Sequence, residues 1–344
     1  MRRVIAHRDD RLVARIVRRL PMHYPAGADP STDRPGHVRA ASGLASVGRR
    51  IAVIQDDANF VALVDPATGE AEAIVLAPGH EGRRQFDDAR GNKAHKLDLE
   101  ALATVVDGAA TLLLAFGSGS SARRESVLVL EDAARADATP RLVHLPRLYA
   151  ALRAHGAFAG SELNVEGALQ VGDALRLFQR GNGAAIGDVA AVDATCDLPL
   201  RALLAHLAAP DATDPPAPRD VVQYDLGALS GTRLSFTDAA LAREPRDAAG
   251  PRAILYVASA EASPDAVRDG DVAGSAVGVI EERDGATSAR WAELCDGDGP
   301  VALKVEGIAP HPTSPDRAWV VVDVDAHDRP SELCEVALEG GWPG

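Results

Sequence analysis

A short motif that returns five times along the chain is the feature that most constrains the fold. Each copy starts with serine or an acidic residue, which is followed by glycine or alanine and then by two residues drawn from alanine, leucine and isoleucine. The copies begin at Ser42, Glu100, Glu166, Asp238 and Glu306. Successive copies are 58, 66, 72 and 68 residues apart. A repeat with so nearly constant a period indicates an architecture built from similar units.

Each motif is followed by further short runs of aliphatic residues that end in polar or glycine-containing turns. The second runs are residues 51–55, 111–116, 175–179, 254–258 and 318–322. Third and fourth runs follow, for example residues 126–131, 188–193 and 221–226. Short strands separated by turn residues are typical of antiparallel sheets. The pattern therefore predicts units of about four strands and about 65 residues.

Four-stranded antiparallel units repeated around an axis are the blades of a β-propeller. The predicted fold is therefore all-β, with one propeller domain over residues 1–344. Five blades are favoured, and six are the alternative if residues 1–41 and an insertion form another blade. Residues 12–20 are expected to be the outer strand of the last blade, so that no sheet edge is left open. Residues 145–155 and 198–209 have helical spacing and predict short helices inserted between blades.

The charge balance makes some partners and locations improbable. The chain has 36 Lys and Arg against 50 Asp and Glu, a net charge of −14. Neither a nucleic acid bound through its phosphates nor an anionic membrane surface fits that charge.

No stretch approaches the roughly 18 apolar residues of a membrane span, and the N-terminus lacks the apolar core of a signal peptide. Three widely spaced cysteines fit a reducing, cytoplasmic compartment.

The first strand of a propeller blade lines the central channel, and alternate residues share one face of a strand. The five residues that begin the motif should therefore form one ring, with Asp98, Asn164 and Lys304 one layer away. Carboxylates crowded together repel one another, and a hard divalent cation such as Ca²⁺ would relieve that repulsion. The predicted metal ligands are Glu100, Glu166, Asp238 and Glu306. In the alternative, the carboxylates accept backbone hydrogen bonds from neighbouring blades and are purely structural.

A second group of polar residues follows the second strands, at turns that propeller topology places at one rim of the channel. Asp56, Ser118 and Arg180 belong to this group. Together with Lys304 they are the predicted ligand-binding residues, and the ligand is expected to be a small polar or anionic molecule. The alternative is that these are ordinary solvated turns, because charged residues are common in exposed turns.

The motif and its surroundings resemble two known families. The segments that carry the resemblance are residues 41–45, 97–101, 117–120, 164–169 and 304–312. They are similar to the blade-start segments of phytase-like esterases and gluconolactonase-type propellers. The resemblance implies a propeller with Glu, Asn and Asp residues that hold a divalent metal in the channel. Ser42 and Lys304 depart from that pattern.

These observations predict a metal-assisted hydrolase of the esterase, lactonase or phosphatase kind. Glu166 and Glu306 are the predicted catalytic residues, because a free carboxylate beside a bound cation can act as a general base. The chain contains no GxSxG, HExxH or GxxxxGK[ST] motif, which argues against a serine elbow, a zinc peptidase helix and a phosphate-binding loop. The alternative function is a non-catalytic propeller that serves as a binding or interaction scaffold. The oligomeric state does not follow from the sequence.

Overall fold

The computed structural model describes residues 2–134, 138–243, 252–263, 270–297 and 299–343, and most of these form β-strands. The described α-helices are α1 (Pro146–Ala154), α2 (Gly156–Ala159) and α3 (Leu200–Ala208). Single 3₁₀ turns occur at His80–Gly82, Lys93–His95 and Ala122–Arg124. Helices α1 and α3 fall within the two segments predicted to be helical. Nowhere in the described ranges does a helix have the length and apolarity needed to cross a membrane.

The first two sheets are four-stranded, antiparallel and sequential. The first contains β4 (Ala41–Val47), β5 (Arg50–Gln55), β6 (Phe60–Val64) and β7 (Ala71–Val75). The second contains β8 (Leu99–Asp107), β9 (Ala110–Gly117), β10 (Ser126–Glu131) and β11 (Pro140–His144). Strands β5 and β6 are almost wholly buried, as their continuous aliphatic sequences require of strands covered on both faces.

The third sheet has four antiparallel strands and a fifth one added at its outer edge. Its strands are β12 (Val165–Val171), β13 (Ala174–Gln179), β14 (Asp193–Pro199), β15 (Arg219–Asp225) and the parallel edge strand β1 (Arg2–Ile5). The prediction of a strand at residues 188–193 is wrong, because β14 begins only at Asp193. Residues 180–192 form a loop that contains Gly181, Gly183 and Gly187, and glycines disfavour a strand.

The eleven-stranded sheet contains two antiparallel runs of four. The first run is β17 (Thr232–Arg243), β18 (Arg252–Glu261), β19 (Val272–Arg283) and β20 (Ala286–Asp296). The second is β22 (Lys304–Pro310), β23 (Arg317–Asp323), β24 (Glu332–Glu339) and β3 (Val13–Pro21). A short parallel pairing of β20 with β3 joins the two runs. The two-residue strands β2 (His7–Arg8), β16 (Ala228–Leu229) and β21 (Gly299–Pro300) complete the sheet.

The first strand of each four-stranded group packs against the first strand of the next group. Contacts run from β4 to β8, β8 to β12, β12 to β17 and β17 to β22, and β22 contacts β4 again. The buried apolar side chains follow the same order. Five hydrophobic clusters lie between successive groups, and one of them joins the β22–β24 group to the first sheet.

The N-terminal segment runs along the outer edges of three groups in turn. Strand β1 pairs with β15, β2 pairs with β20, and β3 pairs antiparallel with β24. The last pairing puts Val13–Pro21 beside the final long strand of the chain, where the sequence predicted a closing strand at residues 12–20. The segment therefore covers backbone edges that would otherwise be open to other chains.

Candidate functional site

The start of the first strands encloses a charged cavity of about 40 Å³, which is enough for a few water molecules. Seven carboxyl side chains line it: Asp56, Asp98, Glu100, Glu166, Glu261, Glu306 and Asp323. Four cationic side chains line it as well: Lys96, Arg124, Arg180 and Lys304. Ser42, Asn164 and Asn182 add neutral polar groups. We call this space the inner cavity.

A β-bulge in each first strand explains why the repeated motif lines this cavity. The strand register shifts by one residue at Ser42, Glu100, Glu166 and Glu306. A bulge holds one extra residue and re-aims its side chain. These four residues all line the inner cavity, as predicted for the first residue of the motif.

The fourth motif departs from the predicted ring by one residue. In β17 the register shifts between Phe236 and Asp238, so Thr237 occupies the position equivalent to Glu166. Asp238 does not line the inner cavity. Its Oδ2 accepts a 2.9 Å hydrogen bond from the backbone N–H of Ile308, and burial raises its pKa well above the ordinary value. The prediction that Asp238 is a metal ligand in the ring is therefore corrected: Asp238 joins two neighbouring first strands.

Hydroxyl groups at the bulges make similar connections between strands. The Ser42 hydroxyl donates a 2.5 Å hydrogen bond to the backbone oxygen of Leu99. The Thr237 hydroxyl donates a 2.6 Å hydrogen bond to the backbone oxygen of Val305. The structural alternative raised for the ring, a carboxylate that accepts a backbone hydrogen bond from a neighbouring group, thus describes Asp238.

Arg180 connects three carboxylates that come from three different groups of strands. Its Nη2 lies 2.6 Å from Oε2 of Glu261, and its Nη1 lies 3.3 Å from Oε1 of Glu166. The same Nη1 is 4.0 Å from Oε2 of Glu306. Burial lowers the pKa of Arg180, but the surrounding carboxylates more than compensate and raise it. The predicted ligand-binding Arg180 therefore holds carboxylates of the protein itself.

The carboxyl groups of Glu166 and Glu100 have different surroundings. Oε1 of Glu166 accepts a 2.7 Å hydrogen bond from the Asn164 amide, and burial raises the pKa of Glu166 although Arg180 lowers it. Glu100 is partly exposed. Burial together with the negative charges of Asp98 and Glu166 raises the pKa of Glu100 well above its usual range.

Glu306 is the carboxyl group with the most unusual surroundings. Only 4% of the residue is exposed, and Oε1 lies 3.3 Å from the ammonium group of Lys304. Oε2 accepts no hydrogen bond from any residue in the described part of the chain. Burial raises the pKa of Glu306 to about 8, although Lys304 and Arg180 act to lower it. This carboxyl group can therefore gain or lose a proton close to neutral pH.

On the opposite side of the cavity, Lys96 and Arg124 neutralise Asp98. The Lys96 ammonium lies 2.5 Å from Asp56 and 2.7 Å from Asp98, and Arg124 lies 3.0 Å from Asp98. Burial alone would raise the pKa of Asp98, but the two cations lower it. Ser118 does not line the cavity, and its hydroxyl donates a hydrogen bond to Asp98. The predicted ligand-binding Ser118 is thus a residue that positions Asp98.

A wider opening of about 700 Å³, which we call the vestibule, lies next to the inner cavity. Asp56, Lys304 and Asp323 line both spaces. Burial raises the pKa of Asp323 to about 8. Burial and the charge of Asp56 raise the pKa of Asp57 to about 6, although Arg39 lowers it. A volume of this size matches that of ordinary small-molecule pockets.

The comparisons with known proteins identify the family. A family model matches residues 37–338, which include every strand from β4 to β23 and most of β24. The chain belongs to DUF6929. The description of DUF6929 is a family of unknown function. A search of curated proteins finds no match to this DUF6929 chain.

Several solved structures are similar in backbone trace to this DUF6929 protein. One is MPT-4, a mannose phosphorylase from Leishmania mexicana in complex with phosphate ion, at 13% identity over 93% of this chain and 88% of that chain, with a TM-score of 0.42. Another is the WD40 beta propeller domain of Doa1, at 9% identity over 94% and 97%, with a TM-score of 0.36. YCF48 bound to D1 peptide matches at 8% identity over 97% of both chains, with a TM-score of 0.35. Such low TM-scores assign neither a ligand nor a reaction to this DUF6929 protein.

The predicted metal ligands of this DUF6929 chain do not gather around one point. Within the described ranges, one trio brings carboxylate oxygens within 4.8 Å of one another, and it consists of Asp56, Asp98 and Glu100. Of the four predicted ligands, only Glu100 belongs to it. The Lys96 ammonium already lies between Asp56 and Asp98. The arrangement therefore does not fit the predicted set of calcium ligands.

The predicted site of this DUF6929 chain did not include three of the lining residues. Lys96 lies in the irregular segment before β8, Arg124 ends the 3₁₀ turn after β9, and Glu261 ends β18. Nothing in the spacing of the repeated motif brings Lys96 or Arg124 to the channel. By contrast, Asp56 and Arg180 directly follow second strands, where the sequence predicted ligand-binding residues, and both line the inner cavity.

Proposed function

We propose that the strands form a five-bladed β-propeller, closed by the N-terminal strand β3. The support is the order of contacts: each first strand touches the next, and β22 touches β4. Five hydrophobic clusters between successive groups follow the same cycle. A sixth group of four strands does not occur among the residues that the structure describes.

We propose that the protein binds a small polar molecule at the channel mouth and hydrolyses an ester or lactone bond in it. The observation that carries this proposal is Glu306. Its carboxyl group is buried and has one oxygen that accepts no hydrogen bond from the described residues. Burial raises its pKa to about 8. A general base works best when its pKa is close to the pH at which it acts.

The residues around Glu306 allow hydrolysis by general-base catalysis. The Glu306 carboxylate takes a proton from a water molecule, whose oxygen attacks the carbonyl carbon of the substrate. The bond from that carbon to the leaving oxygen breaks, and the proton passes from Glu306 to the leaving oxygen. Lys304 lines both the inner cavity and the vestibule. Once Glu306 has taken the proton and lost its charge, the ammonium group of Lys304 can stabilise the negative charge that develops on the carbonyl oxygen.

In this proposal Glu166 is a positioning residue. Its carboxylate contacts Asn164 and Arg180, and Arg180 in turn lies 4.0 Å from Glu306. Removing Glu166 should change the orientation of Arg180 and the charge around Glu306. We expect a smaller loss of activity than from a change at Glu306 itself.

A specific observation favours a second candidate function, a site that binds without catalysis. All four cations of the inner cavity are paired with carboxylates. Such a network can hold neighbouring blades together and present a fixed polar surface to a ligand. In that case the same mouth binds its ligand and releases it unchanged.

The test is hydrolysis of a panel of small esters and lactones by the purified full chain, with and without added Ca²⁺. We expect Glu306→Gln to lower kcat by about 100-fold or more, as loss of a general base does. Asp107→Asn is the matched control, because Asp107 is an exposed acid at the far end of β8. Equal loss in both variants, or full activity of Glu306→Gln, would rule out Glu306 as the base. Ligand binding without turnover would favour the second candidate.

A further inference from the structure

The cations of the inner cavity are all engaged by the protein's own carboxylates. Lys96 contacts Asp56 and Asp98, whereas Lys304 lies 3.3 Å from Glu306 and 3.4 Å from Asp325. Arg124 and Arg180 are paired as described above. An anionic ligand would therefore meet cations that are already paired with carboxylates. Like charges brought together in a buried site are costly.

Two groups that line the cavity have an unsatisfied buried atom: Oε2 of Glu306, an acceptor, and Nε of Arg180, a donor. Oε2 of Glu306 is buried and accepts no hydrogen bond from the described residues. Leaving a buried acceptor without a donor costs about 1–3 kcal/mol, and more for a charged group. The partly exposed Glu100 lines the same small space. Oε2 of Glu306 thus lacks a hydrogen-bond donor, and a positively charged donor would be favoured over a neutral one at this atom.

Acidic residues outnumber basic ones in the lining of the vestibule. Its acidic lining residues are Asp56, Asp57, Asp87, Asp88, Asp271, Asp323 and Asp325, and its basic ones are Arg39, Lys93, Lys304 and His327. Arg39 contacts both Asp57 and Asp87. A cleft lined mainly by one sign of charge raises the local concentration of the opposite charge. A cation would therefore be attracted before it reaches the inner cavity.

We infer that the molecule bound at the channel mouth carries a primary ammonium group, which enters the inner cavity and donates a hydrogen bond to Glu306. An ammonium group has three donors and no acceptor, which suits a space rich in carboxylate oxygens. The inner cavity of about 40 Å³ has room for that group but not for a ring, so the remainder of the molecule would lie in the vestibule. This inference rests on the proposed function, because it names the substrate class of the same site.

The test uses three esters that differ only in the end group: ethyl 3-aminopropanoate, ethyl butanoate and monoethyl succinate. At pH 7 these present an ammonium, a methyl and a carboxylate group. Binding to the full chain is measured by ligand-detected NMR, and hydrolysis is measured separately. We expect the ammonium ester to bind at least about 10-fold more tightly than the other two, which corresponds to about 1.4 kcal/mol.

Substitutions in the inner cavity test whether the ammonium ester binds there. Glu306→Gln should lower the affinity for the ammonium ester by about 10-fold, and Glu100→Gln provides a second, more exposed change if Glu306→Gln folds poorly. Asp107→Asn removes the same charge at the far end of β8 and should change the affinity by less than about two-fold, since exposed charges are screened by salt. An unchanged affinity in both cavity variants would overturn the inference.

The outcomes for the inference and for the proposed hydrolase can be told apart. If the ammonium ester binds selectively but is not cleaved, the inference stands and the hydrolase proposal fails. If ethyl butanoate or monoethyl succinate is bound and cleaved equally well or better, the hydrolase proposal stands and the inference is wrong. If none of the three esters binds at millimolar concentration, the inference is overturned.

Discussion

Gly307 and Gly43, on neighbouring first strands, lie so close that a Cβ atom added to Gly307 would be 3.1 Å from the Cα of Gly43. The same Cβ would lie 2.9 Å from side-chain atoms of Leu44 and Val321. A Cβ on Gly43 would in turn lie 3.0 Å from the backbone oxygen of Glu100. The glycine of the repeated motif therefore allows the first strands to approach one another.

This close approach predicts that Gly307→Ala destabilises the fold. We expect a loss of about 1–3 kcal/mol in the free energy of unfolding, the usual cost of an extra methyl group in a well-packed interior. The measurement is urea denaturation. Gly156→Ala is the control, because a Cβ there would meet no atom within 4 Å. An unchanged midpoint for Gly307→Ala would show that the strands can separate without cost.

Arg180 provides the second prediction. Arg180→Met leaves Glu166, Glu261 and Glu306 without their shared cation. Removing one partner from a buried ionic network typically costs about 3–5 kcal/mol. Arg147→Met is the matched control, since Arg147 pairs with Asp214 at an exposed site and such pairs contribute about 1 kcal/mol or less. Equal thermal midpoints for the two variants would contradict a stabilising role for Arg180.

The third prediction concerns pH. The pKa of Glu306 is raised to about 8 in the folded protein, from an ordinary value of 4.5. The folded state then holds its proton more tightly than the unfolded state, so the stabilising effect is complete below pH 4.5 and is lost as the pH rises towards 8. Glu306→Gln should reduce this fall in stability, measured as the unfolding midpoint at several pH values. Asp107→Asn should leave the slope as in the unmodified protein.

The fourth prediction concerns the N-terminal segment. Deleting residues 1–8 removes β1 and β2 and uncovers the edges of β15 and β20. Uncovered strand edges pair with other chains. We therefore expect the shortened protein to associate at concentrations where the full chain does not, as measured by light scattering. Deletion of residues 343–344 is the control, and no difference between the two deletions would contradict the prediction.

In four of its five copies the first residue of the repeated motif lines the inner cavity, and the exception has a clear physical cause. At Ser42, Glu100, Glu166 and Glu306 the first residue of the motif is the bulged one. In the fourth copy the sequence match favoured Asp238, whereas the bulge lies at Thr237. A bulge shifts the register by one residue, and that shift depends on pairing with another strand rather than on local sequence.

Lys96 and Arg124 show the other limit of prediction from sequence. Periodicity places residues on the faces of strands, but both of these lie outside the strands, in segments whose paths depend on packing. Their contacts with Asp98 were consequently not predicted. Too few of the predicted calcium ligands therefore remain available to bind the ion.

The edge pairing of the N-terminal segment has a consequence for synthesis on the ribosome. Residues 13–21 emerge first, but their antiparallel partner Glu332–Glu339 emerges only about 300 residues later. At about 5–20 residues per second, that delay is between about 15 and 60 seconds. During most of this interval residues 13–21 have no strand partner, since their other partner, residues 294–296 of β20, is also synthesised late. Pairing of β3 with β24 must therefore wait until residues 332–339 have been synthesised, and a chaperone that shields residues 13–21 would act at the most vulnerable stage.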